Sequence, residues 1–331
     1  MNINRNVLVT GGAGYVGSFT CKALQKHGYR PIVFDNLSTG HRDSCRWGLF
    51  IEGDLQDLDL LRSVIKRYEI SRIIHFAASA YVGESIDNPL KYYDNNIVGT
   101  VSLLRACENL PRVNLVFSSS CAVYGTPNEI PITETTTKTP VNPYGLTKLI
   151  SEELIDNYSK YSNLSFVNLR YFNAAGASED LDLGELHEPE THIIPLAINA
   201  ALKNSVLSIF GGDFPTQDGT AIRDYVHVND LGSAHVKALE YLENRAESIS
   251  LNLGSGNGTS VLQIVALLKE FGLNVRYEIL PRRIGDPPAL VASIEAAKKA
   301  LKWNPTQSEI KNVLSSAIKW SKLSTGPLPK Q

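Results

Sequence analysis

Short apolar runs alternate along the chain with longer segments in which apolar residues recur at helical spacing. The runs are rich in β-branched residues, which favours strands, and most of them are followed by a helical pattern. The runs predict six strands, over residues 6–10, 31–35, 49–55, 72–78, 113–118 and 164–170. Helices are predicted over 19–28, 58–68, 89–108 and from Asn142 onward. This rhythm indicates a Rossmann-type α/β fold, a doubly wound parallel sheet with helices on both faces.

The rhythm loosens beyond about residue 175. Residues 176–191 read as an irregular excursion and 211–222 as a loop rich in Gly, Asp and Thr. Between and after them we predict further elements: helices over 193–202, 229–242 and 261–271, and strands over 223–228, 248–253 and 275–280. The strand at 248–253 should return to the main sheet. We expect a smaller C-terminal lobe that is joined to the first by crossing elements.

Composition and charge exclude several classes of function. The 34 acidic residues balance 32 basic ones, and no basic run predicts a nucleic-acid or membrane surface. No segment reaches the ~18 apolar residues of a membrane span. The four cysteines lack Cys-x-x-Cys spacing and the seven histidines lack metal-ligand spacing, so we predict no metal site. We expect a cytoplasmic protein.

A glycine-rich turn follows the first strand directly. Gly11, Gly14 and Gly17 lie between that strand and a helix, where glycines let the backbone approach a pyrophosphate at the helix N-terminus. The second strand ends in Asp35, whose carboxylate can accept from the ribose hydroxyls and would repel a 2′-phosphate. Arg42, which could reach a 2′-phosphate, is a weaker argument for NADP. These residues predict NAD as the cofactor, with an NAD-binding domain over 1–175 (plus returning segments near 223–253) and a mainly substrate-binding lobe over 176–331.

Ligands of such sheets bind at the carboxyl ends of the strands. This rule places Asp54, Ala77, Ser120 and Asn173 along the same edge as Asp35. Ser120 belongs to a serine cluster that usually means only a turn. No Gly-x-Ser-x-Gly elbow surrounds it, so a hydrolytic nucleophile is not indicated.

Tyr144 and Lys148 begin the helix after the fifth strand, four residues apart and therefore on one face. Asn142 is a plausible cap and Pro143 suits the first turn. An ammonium beside a phenol should lower the pKa of the phenol, so Tyr144 is a candidate base. The pair alone is weak evidence, since a core tyrosine and a solvated lysine give the same spacing. With the nucleotide-binding turn and Ser120, it becomes a plausible proton relay.

Two arginines in the C-terminal half, Arg223 and Arg283, lie near loops. Taken alone, each arginine would be interpreted as one partner of a surface salt bridge. Guanidinium groups also suit the diphosphate of a nucleotide-sugar.

Together these motifs resemble those of the UDP-glucose 4-epimerases of the extended short-chain dehydrogenase/reductase superfamily. The glycine and Tyr-x-x-x-Lys motifs are shared across the superfamily, whereas three later stretches are narrower. Those stretches are Arg170-Tyr171-Phe172-Asn173, Arg223-Asp224-Tyr225 and Arg282-Arg283-Ile284-Gly285-Asp286. The resemblance runs from Val7 to about Trp320.

The resemblance implies bound NAD, a UDP-sugar substrate and a homodimer. Tyr144 would be the base, Lys148 would hold the nicotinamide ribose, Ser120 would bridge the sugar O4, and the two arginines would hold the diphosphate. Further cofactor-binding residues would be Tyr15, Val16, Asn36, Leu37, Ser38, Leu55, Phe76, Ala78, Asn95 and Phe172. Further substrate-binding residues would be Asn173, His192, Ile193, Phe210, Tyr225 and Asp286.

The implied reaction interconverts UDP-glucose and UDP-galactose without net redox change. Tyr144 takes the O4 proton while the C4 hydride goes to the nicotinamide, the 4-keto sugar turns about its diphosphate link, and the hydride returns to the other face. Some members carry a lysine where this chain has Ala80, which puts one pyrophosphate contact in question.

Other functions stay open at this point. A UDP-pentose (UDP-xylose/UDP-arabinose) 4-epimerase is the first alternative, and an N-acetylated sugar would need extra volume near Ala289 and Leu290. A 4,6-dehydratase needs a carboxylate beside the serine, and residues 119–122 offer none. A non-catalytic NAD(P)-sensing protein tends to lose the Tyr or the Lys, and this chain has both.

Overall fold

The computed structural model describes residues 4–245, 247–283 and 285–325 of the chain. Its strands are β1 (Asn6–Thr10), β2 (Arg30–Asp35), β3 (Leu49–Glu52), β4 (Arg72–His75), β5 (Val113–Ser120), β6 (Leu164–Tyr171), β7 (Asn173–Ala175), β8 (Val206–Phe210), β9 (Ile222–His227), β10 (Ile249–Leu253), β11 (Gly258–Ser260), β12 (Arg276–Leu280) and β13 (Ala289–Leu290). Its α-helices are α1 (Tyr15–Lys26), α2 (Leu58–Arg67), α3 (Val82–Asp87), α4 (Pro89–Tyr92), α5 (Gly99–Ala106), α6 (Pro143–Ser159), α7 (Ile193–Leu202), α8 (Val228–Arg245), α9 (Val261–Glu270), α10 (Glu295–Leu301) and α11 (Ile310–Thr325). None of the described helices is long and apolar enough to cross a membrane.

Seven parallel strands form the central sheet, in the order β10-β6-β5-β4-β1-β2-β3. Side chains of β1 alternate between two apolar layers. Val7 and Val9 pack with residues of α1 and α8, whereas Leu8 packs on the other face with residues of α2 and α5. A strand buried on both faces must be apolar throughout, which explains the near-continuous apolar runs of the sequence. The predicted doubly wound fold is confirmed.

The order of the strands places a crevice at the carboxyl end of β1. From β1 the chain proceeds to β2 and β3 on one side, and it then crosses to β4, β5 and β6 on the other. Helices on opposite faces leave an opening at such a switch point, and ligands of doubly wound sheets bind there. The glycine-rich turn after β1 lies at this point.

The C-terminal part contributes small sheets and a separate apolar cluster. Strand β9 pairs with β7, β11 and β13, and β8 pairs with β12 in parallel. Their apolar side chains pack with those of α7, α9 and α11. As predicted, the strand near 248–253 returns to the main sheet, because β10 pairs in parallel with β6. The division into lobes at about residue 175 remains a prediction.

Several elements differ from the sequence prediction. The helix predicted over 89–108 is divided into α4, a π-helical segment over Tyr93–Val98, and α5. In that segment Asn96 is buried and donates to Ser79 O and Thr147 Oγ1, at 3.0 and 2.9 Å. The strands β3 and β4 are shorter than predicted. Sequence periodicity also missed α3, α10, α11 and the strands β7, β8, β11 and β13, most of which are too short or too polar to show a period.

Candidate active site

The turn after β1 requires glycine at two positions because other backbone lies against it. Gly11 has a positive φ of 71°, and a Cβ added there would lie 2.4 Å from the backbone nitrogen of Ala77. A Cβ on Gly17 would lie 2.3 Å from Gly11 O, so only glycine lets α1 pack on the turn. The N-terminus of α1 therefore opens directly into the crevice, where its free N–H groups suit a pyrophosphate.

Asp35 lies at the end of β2, beside this turn. Its Oδ2 accepts from Ala13 N at 3.0 Å and its Oδ1 accepts from Leu37 N at 2.8 Å. Burial raises the pKa of Asp35, and the two backbone donors oppose the shift. The carboxylate is held rigidly at the position where ribose hydroxyls bind in this fold. The geometry of the glycines and of Asp35 fits a dinucleotide with free ribose hydroxyls.

Two neighbouring side chains extend this end of the crevice. Asn36 Nδ2 donates to Asp54 Oδ2 at 2.7 Å, which links the segments that follow β2 and β3. Arg42, which could have reached a 2′-phosphate, lies instead over the Phe50 ring at 4.5 Å and 3.8 Å from Glu52. Its position favours NAD over NADP.

The helix α6 begins as the sequence predicts. Asn142 is the cap, and its Oδ1 accepts from Gly145 N at 2.8 Å, with Pro143 in the first turn. This start places Tyr144 and Lys148 on the face that lines the crevice. Ser120 lines the same crevice and lies close enough to Tyr144 to lower the pKa of its phenol, so the predicted relay is brought together.

Lys148 is almost fully buried, and a backbone acceptor fixes its ammonium group. Its Nζ donates to Ser118 O at 2.7 Å and lies 5.1 Å from the centre of the Phe117 ring. Burial lowers the pKa of Lys148 to about 7, and the carboxylate of Glu152 opposes that shift.

The sequence predicts that Lys148 lowers the pKa of Tyr144. This prediction is wrong when only the side chains of the protein act on Tyr144. Burial and the nearby Tyr171 raise the pKa of Tyr144, and the nearby Ser120 hydroxyl only partly offsets them. Lys148 Nζ lies 5.9 Å from the centre of the Tyr144 ring, and its own charge is weakened by burial. Desolvation therefore outweighs the ammonium here, and a further positive charge is needed to favour the phenolate.

A buried ion pair between Glu152 and Arg170 lies next to these side chains. Glu152 accepts from Arg170 Nε at 2.8 Å and from Nη2 at 2.7 Å, and it also accepts from Ser119 Oγ at 2.5 Å. Both charged side chains are at most 4% exposed. The pair ties α6 to the ends of β5 and β6 and so fixes Ser120 relative to Tyr144.

The two predicted diphosphate-binding arginines line the same cleft as the glycine-rich turn. Arg223 pairs with Asp286 and donates from Nη1 to Ile222 O at 2.8 Å. The guanidinium of Arg283 lies 4.0 Å from the centre of the Phe210 ring. Nearby, the hydroxyl of Tyr225 is buried and has no hydrogen-bond partner among the described residues.

One cleft of ≈ 1630 Å³ collects these groups. All of the predicted site residues line it except Leu37, which contributes its backbone N–H to Asp35. Leu290 lines it as well, whereas Ala289 does not. Ile284, part of one quoted motif, lies outside the described residues. The volume exceeds the usual range of about 300–1,000 Å³ for a single small ligand, so two ligands fit.

The sequence analysis missed some residues of this cleft. Tyr171, at the end of β6, lies near enough to Tyr144 to raise its pKa, and it hydrogen-bonds Ser118 Oγ. It belongs to the Arg170-Tyr171-Phe172-Asn173 motif, but strand periodicity gave no reason to assign it a role. The irregular segment after β7 also lines the cleft, with Glu185, His187 and Glu190 beside the predicted His192.

Those four residues form a compact cluster of charge. Burial opposes protonation of His187, but Glu185 and Glu190 outweigh it and raise the pKa to about 9. Burial also opposes ionisation of Glu185, but the two imidazoles lower its pKa to about 2. Linear spacing of histidines did not indicate that these donors meet, since an irregular loop brings them together.

Comparison with known proteins agrees with this geometry. Residues 7–254 match the NAD dependent epimerase/dehydratase family. The chain belongs to this family. A UDP-glucose 4-epimerase of Rhizobium leguminosarum bv. trifolii is 47% identical to this epimerase/dehydratase over 316 residues, which cover 95% of this chain and 96% of the relative.

Two solved structures resemble this epimerase/dehydratase over nearly its full length. UDP-glucose 4-epimerase from Brucella ovis in complex with NAD has a TM-score of 0.92 and 48% identity, covering 96% of this chain and 98% of that one. UDP-glucose-4-epimerase from Stenotrophomonas maltophila with bound NAD and formylated UDP-arabinopyranose has a TM-score of 0.93 and 36% identity, covering 97% and 99%. The resemblance drawn from the sequence motifs is confirmed, and so is NAD as the cofactor.

Proposed function

We propose that this chain is a UDP-glucose 4-epimerase that interconverts UDP-glucose and UDP-galactose and retains its NAD through each turnover. One observation carries the proposal: Ser120, Tyr144 and Lys148 line the same cleft as the glycine-rich turn and the two arginines, Arg223 and Arg283. A proton-transfer centre, a dinucleotide site and a diphosphate site thus share one enclosure.

Tyr144 would accept the proton of the sugar O4 and later return it. Ser120 would hydrogen-bond the same oxygen and keep it within reach of the phenol. The Lys148 side chain is held by Ser118 O, so its ammonium group would lie near the phenol whenever Lys148 is protonated. When bound in its oxidised form, NAD supplies a hydride acceptor and a positive charge that favours the phenolate. This charge would offset the effect of burial on Tyr144.

The arginines would anchor the substrate at its diphosphate. Asp286 and Ile222 O hold Arg223, and the Phe210 ring supports Arg283, so both guanidinium groups are ordered beforehand. An anchor at the diphosphate leaves the sugar free to turn, which a change of face at C4 requires. Specificity for the nucleotide should therefore exceed specificity for the sugar.

The test uses Tyr144→Phe with Tyr161→Phe as its control, since Tyr161 is 85% exposed. We expect Tyr144→Phe to lower the rate of UDP-galactose conversion by about 10²–10⁴-fold while UDP-sugar binding is retained, because only proton transfer is lost. Chromatographic separation of UDP-glucose and UDP-galactose measures the rate. Near-normal turnover of the variant would exclude Tyr144 as the base.

A UDP-pentose is the second candidate substrate. The relative from Stenotrophomonas maltophila holds a UDP-arabinopyranose derivative, and a cleft that lets the sugar turn cannot contact every hydroxyl. One missing group changes selectivity by only ~1–3 kcal/mol. Comparing kcat/KM for the hexose and pentose pairs on one preparation decides between them. A pentose preference above about tenfold would replace the substrate and keep the chemistry.

The chain would act as a homodimer. Five apolar side chains on or beside the neighbouring helices α3, α4, α5 and α6 are substantially exposed: Val82, Ile86, Leu90, Val98 and Leu146. Packing these five side chains against a second copy of the chain would remove their apolar surface from water. The cytoplasmic location stays a prediction.

A further inference from the structure

The segment between β7 and α7 carries four donor side chains that the proposed proton transfer does not use. These are Glu185, His187, Glu190 and His192, and each offers a ligand atom within 4.8 Å of all the others. We propose that they form a binding site for a divalent transition-metal ion, with Zn²⁺ as the ion that their chemistry fits best. The inference does not rest on the proposed function.

The ligand atoms are close to the arrangement that such an ion needs. His187 Nδ1 lies 3.2 Å from Glu185 Oε1 and 3.7 Å from Glu190 Oε1, and His192 Nδ1 contacts the same oxygen of Glu185. The two imidazole rings are nearly perpendicular, with centres 5.1 Å apart. Bonds of about 2.0–2.2 Å in a tetrahedron place neighbouring donors about 3.4 Å apart. Small side-chain rotations would therefore complete the site.

The kinds of donor favour a transition metal over calcium or magnesium. Ca²⁺ and Mg²⁺ prefer oxygen ligands throughout, whereas two imidazoles with two carboxylates suit Zn²⁺ and its neighbours. His187 supplies a second observation, because its Nδ1 is buried and no described residue offers it a partner in hydrogen-bonding geometry. A buried nitrogen that points into a group of carboxylates is a ready ligand.

The surroundings hold the ligands in place. The Trp320 indole donates to Glu185 O at 2.9 Å, and the His187 ring packs edge-on against Tyr15 and Tyr81. Glu190 Oε1 accepts from the N–H groups of Thr191 and His192. Partners of this kind orient metal ligands and strengthen binding. A bound ion would tie the loop, which lines the cleft, to α1 and α11.

The experiment titrates chelator-treated, untagged protein with Zn²⁺ by calorimetry and with Co²⁺ by visible absorption. We expect one ion per chain and a tetrahedral Co²⁺ spectrum. His187→Phe keeps the ring between the two tyrosines and removes a ligand, so we expect it to weaken Zn²⁺ binding by more than about 100-fold, since loss of an outer partner alone costs 10–100-fold. His27→Gln, which removes an exposed imidazole on the end of α1, should bind as the parent does.

Folding of each variant is checked by circular dichroism and thermal unfolding. If His187→Phe fails to fold, Glu185→Gln and Glu190→Gln decide the matter, because their amide oxygens can keep the local hydrogen bonds. Absence of stoichiometric Zn²⁺ binding by the parent would overturn the proposal and leave the cluster as an ion-pair network. Equal binding by the parent and the folded ligand variants would overturn it too, since the ion would then lie elsewhere.

Discussion

Replacing Glu152 by Gln removes one charge from the buried pair with Arg170. The carboxylate accepts two hydrogen bonds from Arg170 and one from Ser119, and both charged side chains are at most 4% exposed. The variant would leave the guanidinium buried without a counter-charge. Breaking a buried pair in this way costs roughly 3–5 kcal/mol.

The expected change in melting temperature follows from the size of the chain. Unfolding entropy is about 2.1 cal/mol/K per residue, so 331 residues give roughly 0.7 kcal/mol/K. A loss of ~3–5 kcal/mol then lowers Tm by roughly 4–7 °C. Scanning calorimetry at saturating NAD measures the shift. Glu153→Gln is the matched control, because the neighbouring Glu153 is exposed on the same helix.

Glu152→Gln should also reduce turnover. Glu152 opposes the burial that lowers the pKa of Lys148, and it holds Ser119 next to Ser120. Apolar replacement of both partners, Glu152→Met with Arg170→Met, should regain much of the lost stability, since the guanidinium is then no longer buried without a counter-charge. A Tm for Glu152→Gln within about 1 °C of that for Glu153→Gln would refute the assigned role of the pair.

Three further outcomes are expected. Gly11→Ala should abolish NAD retention, measured as cofactor released on denaturation, because the added Cβ would lie 2.4 Å from Ala77 N. The control Gly83→Ala should retain NAD, because a Cβ added there has nothing within 4 Å. Asp35→Ala should weaken NAD and relax discrimination against NADP in a binding titration, and an unchanged NAD/NADP ratio would contradict the ribose role. Leu90→Glu should give monomers in analytical ultracentrifugation, since Leu90 is 70% exposed; a monomeric parent would instead refute the dimer.

The sequence predicted the parts of the fold whose pattern is local. Residues 6–17 combine a strand, a glycine turn and a helix start within one short stretch, and each has a direct backbone cause. Asn142 and Pro143 likewise mark the start of α6 by their own chemistry. The parallel sheet followed, because a strand buried on both faces leaves a continuous apolar run.

What the sequence could not predict depends on contacts between distant residues. The pKa of Tyr144 rises because burial and Tyr171 act together, and neither is visible in a spacing of four. The meeting of His187 with Glu185 depends on an irregular loop that no period describes. The pairing of Arg223 with Asp286 joins residues 63 positions apart, so only the folded chain shows that these two predicted ligand-binding groups contact each other.

The pairing of β10 with β6 has a consequence for synthesis on the ribosome. Strand β6 ends at Tyr171, but its outer neighbour is complete only at Leu253, about 82 residues later. At 5–20 residues per second, the nascent sheet exposes an unpaired apolar edge for roughly 4–16 s. Such an edge can pair with another chain. Chaperones that shield nascent strands should therefore matter most for this protein in that interval, and a fragment ending before Ile249 should aggregate.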